Sequence, residues 1–143
     1  MSVLVVDASV AAKWFLPANG ETLVNEAFHL LHQYAAGEIR FIVPDLFWAE
    51  LGNLFWKALR QERWTQVSAE AALRALQERK LPTISSAVLL DLAFRLAIAF
   101  DRTVYDGLYI ALAVHSKAQL VTADERLANA VAAELPVKWL GAL

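Results

Sequence analysis

The chain has 143 residues, about one domain's length, and its 58% hydrophobic content is ample for a core, which excludes a disordered polymer. Thirteen Lys plus Arg against fifteen Asp plus Glu leave a formal charge of −2, so no whole-chain basic field gathers a polyanion, and a nucleic-acid partner would need local help. The absence of cysteine removes disulfides, zinc–thiolate sites and thiol nucleophiles together.

In chain order, Val3 to Val6 is a continuous apolar run of the kind found in a strand buried on both faces, and it stops at Asp7. Asp7-Ala8-Ser9 offers cap residues for a helical piece over Val10 to Leu16, closed by Pro17, Asn19 and Gly20. A longer helix is predicted from Glu21 to Ala36, ended by Gly37. Phe41-Ile42-Val43 reads as a second buried strand stopped by Pro44, after which Asp45 can cap a helix to about Arg60. Thr65 or Ser68 starts another helix ending near Lys80. Leu81 to Ser85 is a short third strand, and Ser86 caps the apolar helix Ala87 to Phe100. Then come a helix from Thr103 to Ser116, a fourth strand Gln119 to Thr122, a helix Asp124 to Leu135, and a fifth strand Val137 to Leu140 at the sheet edge beside Pro136.

Strands alternating with helices at crossover lengths predict an α/β fold around a parallel sheet of four to five strands. No linker, low-complexity run or repeat divides the sequence, so a single domain over residues 1–143 is expected. The start lacks the basic region of a secretory signal. The most apolar stretch, Ala87 to Phe100, contains Asp91 and Arg95 and falls short of a membrane span. A cytoplasmic protein away from membranes is the expectation.

In an open parallel sheet, ligands bind beyond the carboxyl ends of the strands where strand order reverses. Asp7 directly follows the first strand, and Asp124 follows the fourth with one residue between, so if those strands are neighbours the two acids face one crevice. Each also stands where a helix N-cap is ordinary. Glu50 has Leu46, Phe47 and Leu54 as helical neighbours, which sets it on the edge of an apolar stripe with Asn53 and Lys57 beside it; a solvated helix face would look similar. Asp106 is the only charge between Val104 and Val114. Asp is favoured in a first helical turn by the dipole, but such an apolar segment points the acid into a protected cleft.

Taken in order, Asp7 with Ser9 two residues on, Glu50 in Ala49-Glu50-Leu51-Gly52-Asn53, Asp106 in Tyr105-Asp106-Gly107-Leu108-Tyr109, and Asp124 in Val121-Thr122-Ala123-Asp124 resemble the PIN domain, in the branch of the VapC-type toxin ribonucleases. The match spans the chain. The resemblance implies a three-layer α/β/α fold with strand order 3-2-1-4-5. It also implies an endoribonuclease leaving 5′-phosphate and 3′-hydroxyl ends, paired with a VapB-like antitoxin and with a second copy of itself. Gly107 departs from the Ala or other small residue frequent there, and is expected to soften the helix start without touching the carboxylate.

Crowded carboxylates repel, by about 1 kcal/mol for two unit charges 4 Å apart in water and about 4 at an effective dielectric of 20, so they need counter-ions. An all-oxygen set suits Mg²⁺ or Mn²⁺ rather than Zn²⁺. Two such ions would neutralise four acids, acidify a water and stabilise the leaving oxygen of a phosphodiester. On this reading Asp7 and Asp106 are central metal ligands, Glu50 is a ligand or orients water, and Asp124 serves a second metal or acts through water. Ser9, Asn53 and Thr122 are the candidate supporting polar groups. Lys13, Lys57, Arg102 and Arg126 are the basic residues nearest these motifs and so candidates for RNA phosphates, whereas His29, His32 and His115 lie apart from every acid motif.

A mean hydropathy of +0.41, with five Trp, predicts more apolar surface than one core hides. Trp14, Phe15, Trp48, Phe55, Trp56 and Trp64 are the residues from which a dimer face or antitoxin groove is expected to draw. Three other functions fit parts of the pattern, one of them an interaction module with an inactive site, against which stands the presence of all four acids. A metal-dependent DNase or structure-specific nuclease would use the same acids on another substrate. A phosphoacceptor domain also places Asp at strand ends, but it calls for an acidic pair after the first strand, where Asp7 is followed by Ala8.

Overall fold

The computed structural model describes residues 2–143. The chain runs β1 (Ser2–Val6), α1 (Ala8–Ala11) continuing into a 3-10 turn (Ala12–Trp14), α2 (Val24–Ala35), β2 (Ile39–Pro44), α3 (Leu46–Arg60) and α4 (Gln66–Glu78). It continues through β3 (Thr83–Ile84), α5 (Ser86–Phe100), α6 (Val104–His115), β4 (Gln119–Thr122), α7 (Glu125–Val131) and β5 (Val137–Trp139), and closes on a 3-10 turn (Leu140–Ala142). The five strands form one all-parallel sheet in the order β3-β2-β1-β4-β5, as the resemblance implied. No helix of the described residues is long and apolar enough to cross a membrane.

The apolar strand runs are buried as their composition requires: Val5, Val6, Val43, Leu120 and Val121 are at most 1% exposed. Strand order reverses at β1, which pairs with β2 on one side and β4 on the other. The amide of Asp7 donates to the Val121 carbonyl (3.1 Å), so the carboxyl ends of β1 and β4 are level and the residues that follow them share one crevice. Pro44 is tolerated inside β2 because the amides of Val43 and Asp45 supply the bonds to the β3 side. Its missing N–H falls on the β1 side, beyond the last registered pair Val5–Ile42.

Several boundaries differ from the sequence reading, each for a local reason. α2 begins at Val24 rather than Glu21, because the Glu21 carboxylate is held by Lys13 (3.2 Å) and Arg63 (2.9 Å), and Leu23 takes a left-handed turn (φ 56°) before the helix can start. Asp45 does not cap α3; its carboxylate accepts instead from the Ser86 hydroxyl. Ser85 therefore caps α5 in place of Ser86, accepting from the Ala87 amide (3.2 Å). α7 ends at Val131, short of Leu135, and Leu140 belongs to the closing 3-10 turn rather than to β5.

The aromatic surplus is mostly absorbed. Trp14 and Phe55 are buried, while Phe15, Trp48 and Trp64 pack against the core as partly buried groups, with Trp14, Trp48 and Trp64 each donating an indole N–H to an oxygen of the chain. Only Trp56 of the six is exposed. The apolar surface lies instead on α5, where Val88, Leu90, Phe94 and Ile98 face outward. Gly107 has a packing role: a methyl group there would overlap the Ala93 carbonyl of α5, so the closeness of α5 to α6 depends on glycine.

Candidate active site

A cavity of about 480 Å³ opens beyond the carboxyl ends of β1 and β4, and Asp7, Glu50, Asp106 and Asp124 all line it. Each acid is delivered by a different piece of chain. Asp7 is the N-cap of α1, and its Oδ1 accepts from the Ser9 amide (3.3 Å). On α3 the buried stripe Phe47, Leu51 and Phe55 faces the core, each side chain contributing about 1.5–3 kcal/mol by burial, and this pins Glu50, one residue off the stripe, at the cavity wall. The Thr103 hydroxyl caps α6 by accepting from the Asp106 amide (3.0 Å), which fixes the first turn that carries that carboxylate. Asp124 caps α7, accepting from the Leu127 amide (3.2 Å). For Asp7 and Asp124, capping and a place in the cavity coexist.

Thr122 ties the floor together. It is fully buried, its hydroxyl donates to Asp7 Oδ2 (2.7 Å), and the same oxygen accepts from the Asp124 amide (3.0 Å). The Ser9 hydroxyl accepts from the Ala123 amide (3.2 Å), bracing the turn after β4 against α1. Asn53 lines the cavity one turn along α3 from Glu50.

Burial dominates the electrostatics of the acids, and their mutual repulsion adds to it. Burial pushes the Asp7 carboxyl up, against the lowering by Thr122 and Ser9, and the charge of Asp106 adds to the rise. Glu50 is raised chiefly by burial, opposed by the Tyr109 hydroxyl beside it and reinforced by Asp7 and Asp106. Asp106 is raised by burial, with the Arg102 guanidinium pulling it back and Asp124 pushing it up. Arg102 Nε stands 3.5 Å from Asp106 Oδ2, an ion pair without a hydrogen bond.

A pattern common to PIN domains matches residues 4–133. The chain belongs to the PIN-domain family. It is 35% identical over 128 residues to Ribonuclease VapC3 of Pyrobaculum aerophilum, covering 88% of this chain and 92% of that protein, which places it with the VapC-type PIN ribonucleases. The crystal structure of PAE2754 from the same organism superposes with a TM-score of 0.71 at 23% identity, over 99% of this chain and 91% of the other. A toxin–antitoxin complex from Klebsiella pneumoniae contains a chain of the same fold, with a TM-score of 0.64 at 14% identity, over 94% and 95% of the two chains.

The donor set of this PIN domain fits a hard divalent cation. Every acid in the cavity offers oxygen, and Glu50 Oε1 is buried without a hydrogen-bond partner among the described residues, an acceptor for which a cation is a natural complement. As placed, no three His or carboxylate side chains among the described residues close into a ligand cage, so an ion would be held partly through water or after small side-chain rotations.

Of the four basic residues, Lys57 alone lines the cavity. Lys13 is buried against Glu21, Arg102 is engaged with Asp106, and Arg126 is exposed outside the cavity lining. Two tyrosines of the motif around Asp106, to which the sequence assigns no role, also line the cavity. Tyr109 is buried at the cavity wall, where it accepts from the Ala8 amide (3.4 Å), and burial together with Asp7 and Glu50 holds its hydroxyl firmly protonated. Tyr105 lines the mouth and is 62% exposed. A phenol at the third position after the sole acid of an apolar helix was the signal available for Tyr109.

Proposed function

We propose that the chain is a Mg²⁺- or Mn²⁺-dependent endoribonuclease and the toxin of a toxin–antitoxin pair. It acts as a single domain over residues 1–143, as a homodimer in the cytoplasm, and is held inactive by a VapB-like antitoxin. The observation that carries this reading is the convergence of Asp7, Glu50, Asp106 and Asp124, from four separate segments, on one cavity at the strand-order reversal. Membership of the VapC-type PIN ribonucleases supports RNA as the substrate and a protein antitoxin as the partner.

In this reading Asp7, Glu50 and Asp106 hold the cation and Asp124 acts on it through water. Thr122 and Ser9 favour the ionised form of Asp7 against its burial and aim it inward, and Asn53 orients water or a phosphate oxygen beside Glu50. A bound divalent ion supplies Lewis acidity toward water and the scissile phosphate. The exposed apolar face of α5 (Val88, Phe94, Ile98) is the natural seat of the second copy.

Matched RNA and DNA oligonucleotides incubated with the purified chain in Mg²⁺, Mn²⁺ or EDTA test the reading. RNA cleavage that needs the ion and leaves 5′-phosphate ends is expected, with Asp7→Asn and Asp106→Asn inactive but folded. Cleavage of DNA alone would move the assignment to the DNase alternative, labelling by acetyl phosphate would favour the phosphoacceptor, and full activity in either variant would refute the acid assignment.

A further inference from the structure

We propose that Tyr109 is a positioning residue of the cavity: its hydroxyl, held by the Ala8 amide, donates to one oxygen of Glu50 and leaves the other, Oε1, free for a cation. The inference rests on the divalent-metal reading above and adds to it the group that orients one ligand. Tyr109 is 3% exposed, and its hydroxyl accepts from the Ala8 amide at 3.4 Å, a contact between residues 101 positions apart. A phenol has one proton to donate as well as lone pairs to accept with, and a buried donor left idle is costly. Glu50 is the carboxylate beside that hydroxyl, and both residues line the same cavity. Its Oε1 has no hydrogen-bond partner among the described residues, so the proton goes to the other oxygen.

Three of the acids meet at this one phenol. Ala8 directly follows Asp7 and opens α1, so the bond to its amide holds the backbone that carries the Asp7 carboxylate. Asp106 lies three residues before Tyr109 on α6, one turn away on the same side of the helix. With Thr122, which bonds to Asp7 and to the Asp124 amide, two buried hydroxyls brace all four acids. A neutral donor suits the task. Lysine or arginine would orient Glu50 but also cancel its charge and compete with the ion, whereas a phenol orients the carboxylate and leaves its charge in place. Burial and the neighbouring carboxylates keep this hydroxyl protonated, so its proton stays available to Glu50.

The test pairs Tyr109→Phe with Glu50→Gln in a double-mutant cycle on the full chain, read by Mn²⁺ binding through electron paramagnetic resonance of the free ion. Tyr109→Phe, which keeps the ring and removes the hydroxyl, is expected to weaken Mn²⁺ binding about 10- to 100-fold in the wild-type background. In the Glu50→Gln background the same change should cost less than about 3-fold, because the phenol acts through Glu50. In cleavage of RNA, the Mg²⁺ concentration giving half-maximal rate should rise, while KM for RNA at saturating Mg²⁺ stays as in the wild type. A role in packing alone would lower the melting temperature and leave the ion affinity of the folded chain unchanged. Crystal structures of the metal-free proteins supply a readout without an ion: Glu50 should keep its rotamer in the wild type and leave it in Tyr109→Phe. Unchanged Mn²⁺ affinity in Tyr109→Phe, an equal loss in both backgrounds, or an unmoved Glu50 in the crystals overturns the assignment. A displaced Glu50 in Tyr109→Phe, with a wild type that binds no Mn²⁺ and cleaves no RNA, would leave the positioning of Glu50 standing and sink the metal-dependent nuclease reading.

Discussion

The Thr122 hydroxyl spans the two central strands' ends, donating to Asp7 Oδ2 at 2.7 Å and accepting from the Asp124 amide at 3.0 Å. One buried oxygen therefore sets the position of two of the four cavity acids. Thr122→Val keeps the volume and removes both bonds, leaving Asp7 without its strongest stabilising partner. The expected result is a loss of about 1–3 kcal/mol in stability by denaturant unfolding. Asp7 then protonates more readily, and the acid limb of the pH–activity profile moves to higher pH. An unmoved limb would show that Thr122 does not govern the ionisation of Asp7.

Burial raises the carboxyl pKa values of Asp7, Glu50 and Asp106 above the ordinary carboxylate range. In the window between the ordinary and the raised values the folded chain binds more protons than the unfolded one, so metal-free stability falls as pH rises through it. The melting temperature in EDTA is expected to climb when pH is lowered from neutral toward the carboxylate range, until other acids begin to protonate. Asp7→Asn should raise the melting temperature at neutral pH and flatten that dependence. Mg²⁺ should stabilise the wild type far more than Asp7→Asn, since ligand binding to the folded state alone raises stability. Differential scanning calorimetry with and without Mg²⁺ checks all three.

Most of the fold was legible because the buried strand runs are nearly pure Val, Leu and Ile, and because Gly, Pro and capping Thr punctuate the helices. What misled were long-range polar partnerships that leave no local trace. Ser86 reaches Asp45 across 41 positions and hands the cap of α5 to Ser85, and Arg63 reaches Glu21 across 42 and delays α2. The four acids were legible through their apolar surroundings and their order. The pairing of Arg102 with Asp106 was not, since an i,i+4 Arg–Asp pair astride a helix start reads as an ordinary surface pair.

Among the described residues Arg102 is the one cation paired with a cavity acid, and it lowers the Asp106 carboxyl toward its ordinary range. Arg102→Gln removes a positive charge beside the proposed ion site while leaving a polar side chain. Binding of Mn²⁺, followed by electron paramagnetic resonance of the free ion, is expected to tighten several-fold. Metal-free stability is expected to change by no more than about 1 kcal/mol, the ordinary range for a partly exposed pair. Weaker Mn²⁺ binding would mean that Arg102 positions Asp106 rather than competing for it.

Gly107 couples the packing of α5 to the placement of the neighbouring acid. The sequence alone predicted a softer helix start, whereas the structure gives the residue a steric reason: a methyl group would overlap the Ala93 backbone carbonyl, which cannot rotate aside as a flexible side chain would. Gly107→Ala gains helix propensity of up to about 1 kcal/mol, but overpacking against fixed backbone costs about 1–3 kcal/mol, so net destabilisation is expected. Relief requires α6 to shift away from α5, and Asp106, one residue earlier, moves with it. Activity should therefore fall along with stability, through metal binding rather than through RNA affinity. Pairing Gly107→Ala with Ala93→Gly leaves the carbonyl in place and should rescue little, because the clash is with backbone. Recovery of both stability and activity in that double variant would show that the Ala93 side chain, not its carbonyl, sets the spacing of α5 and α6.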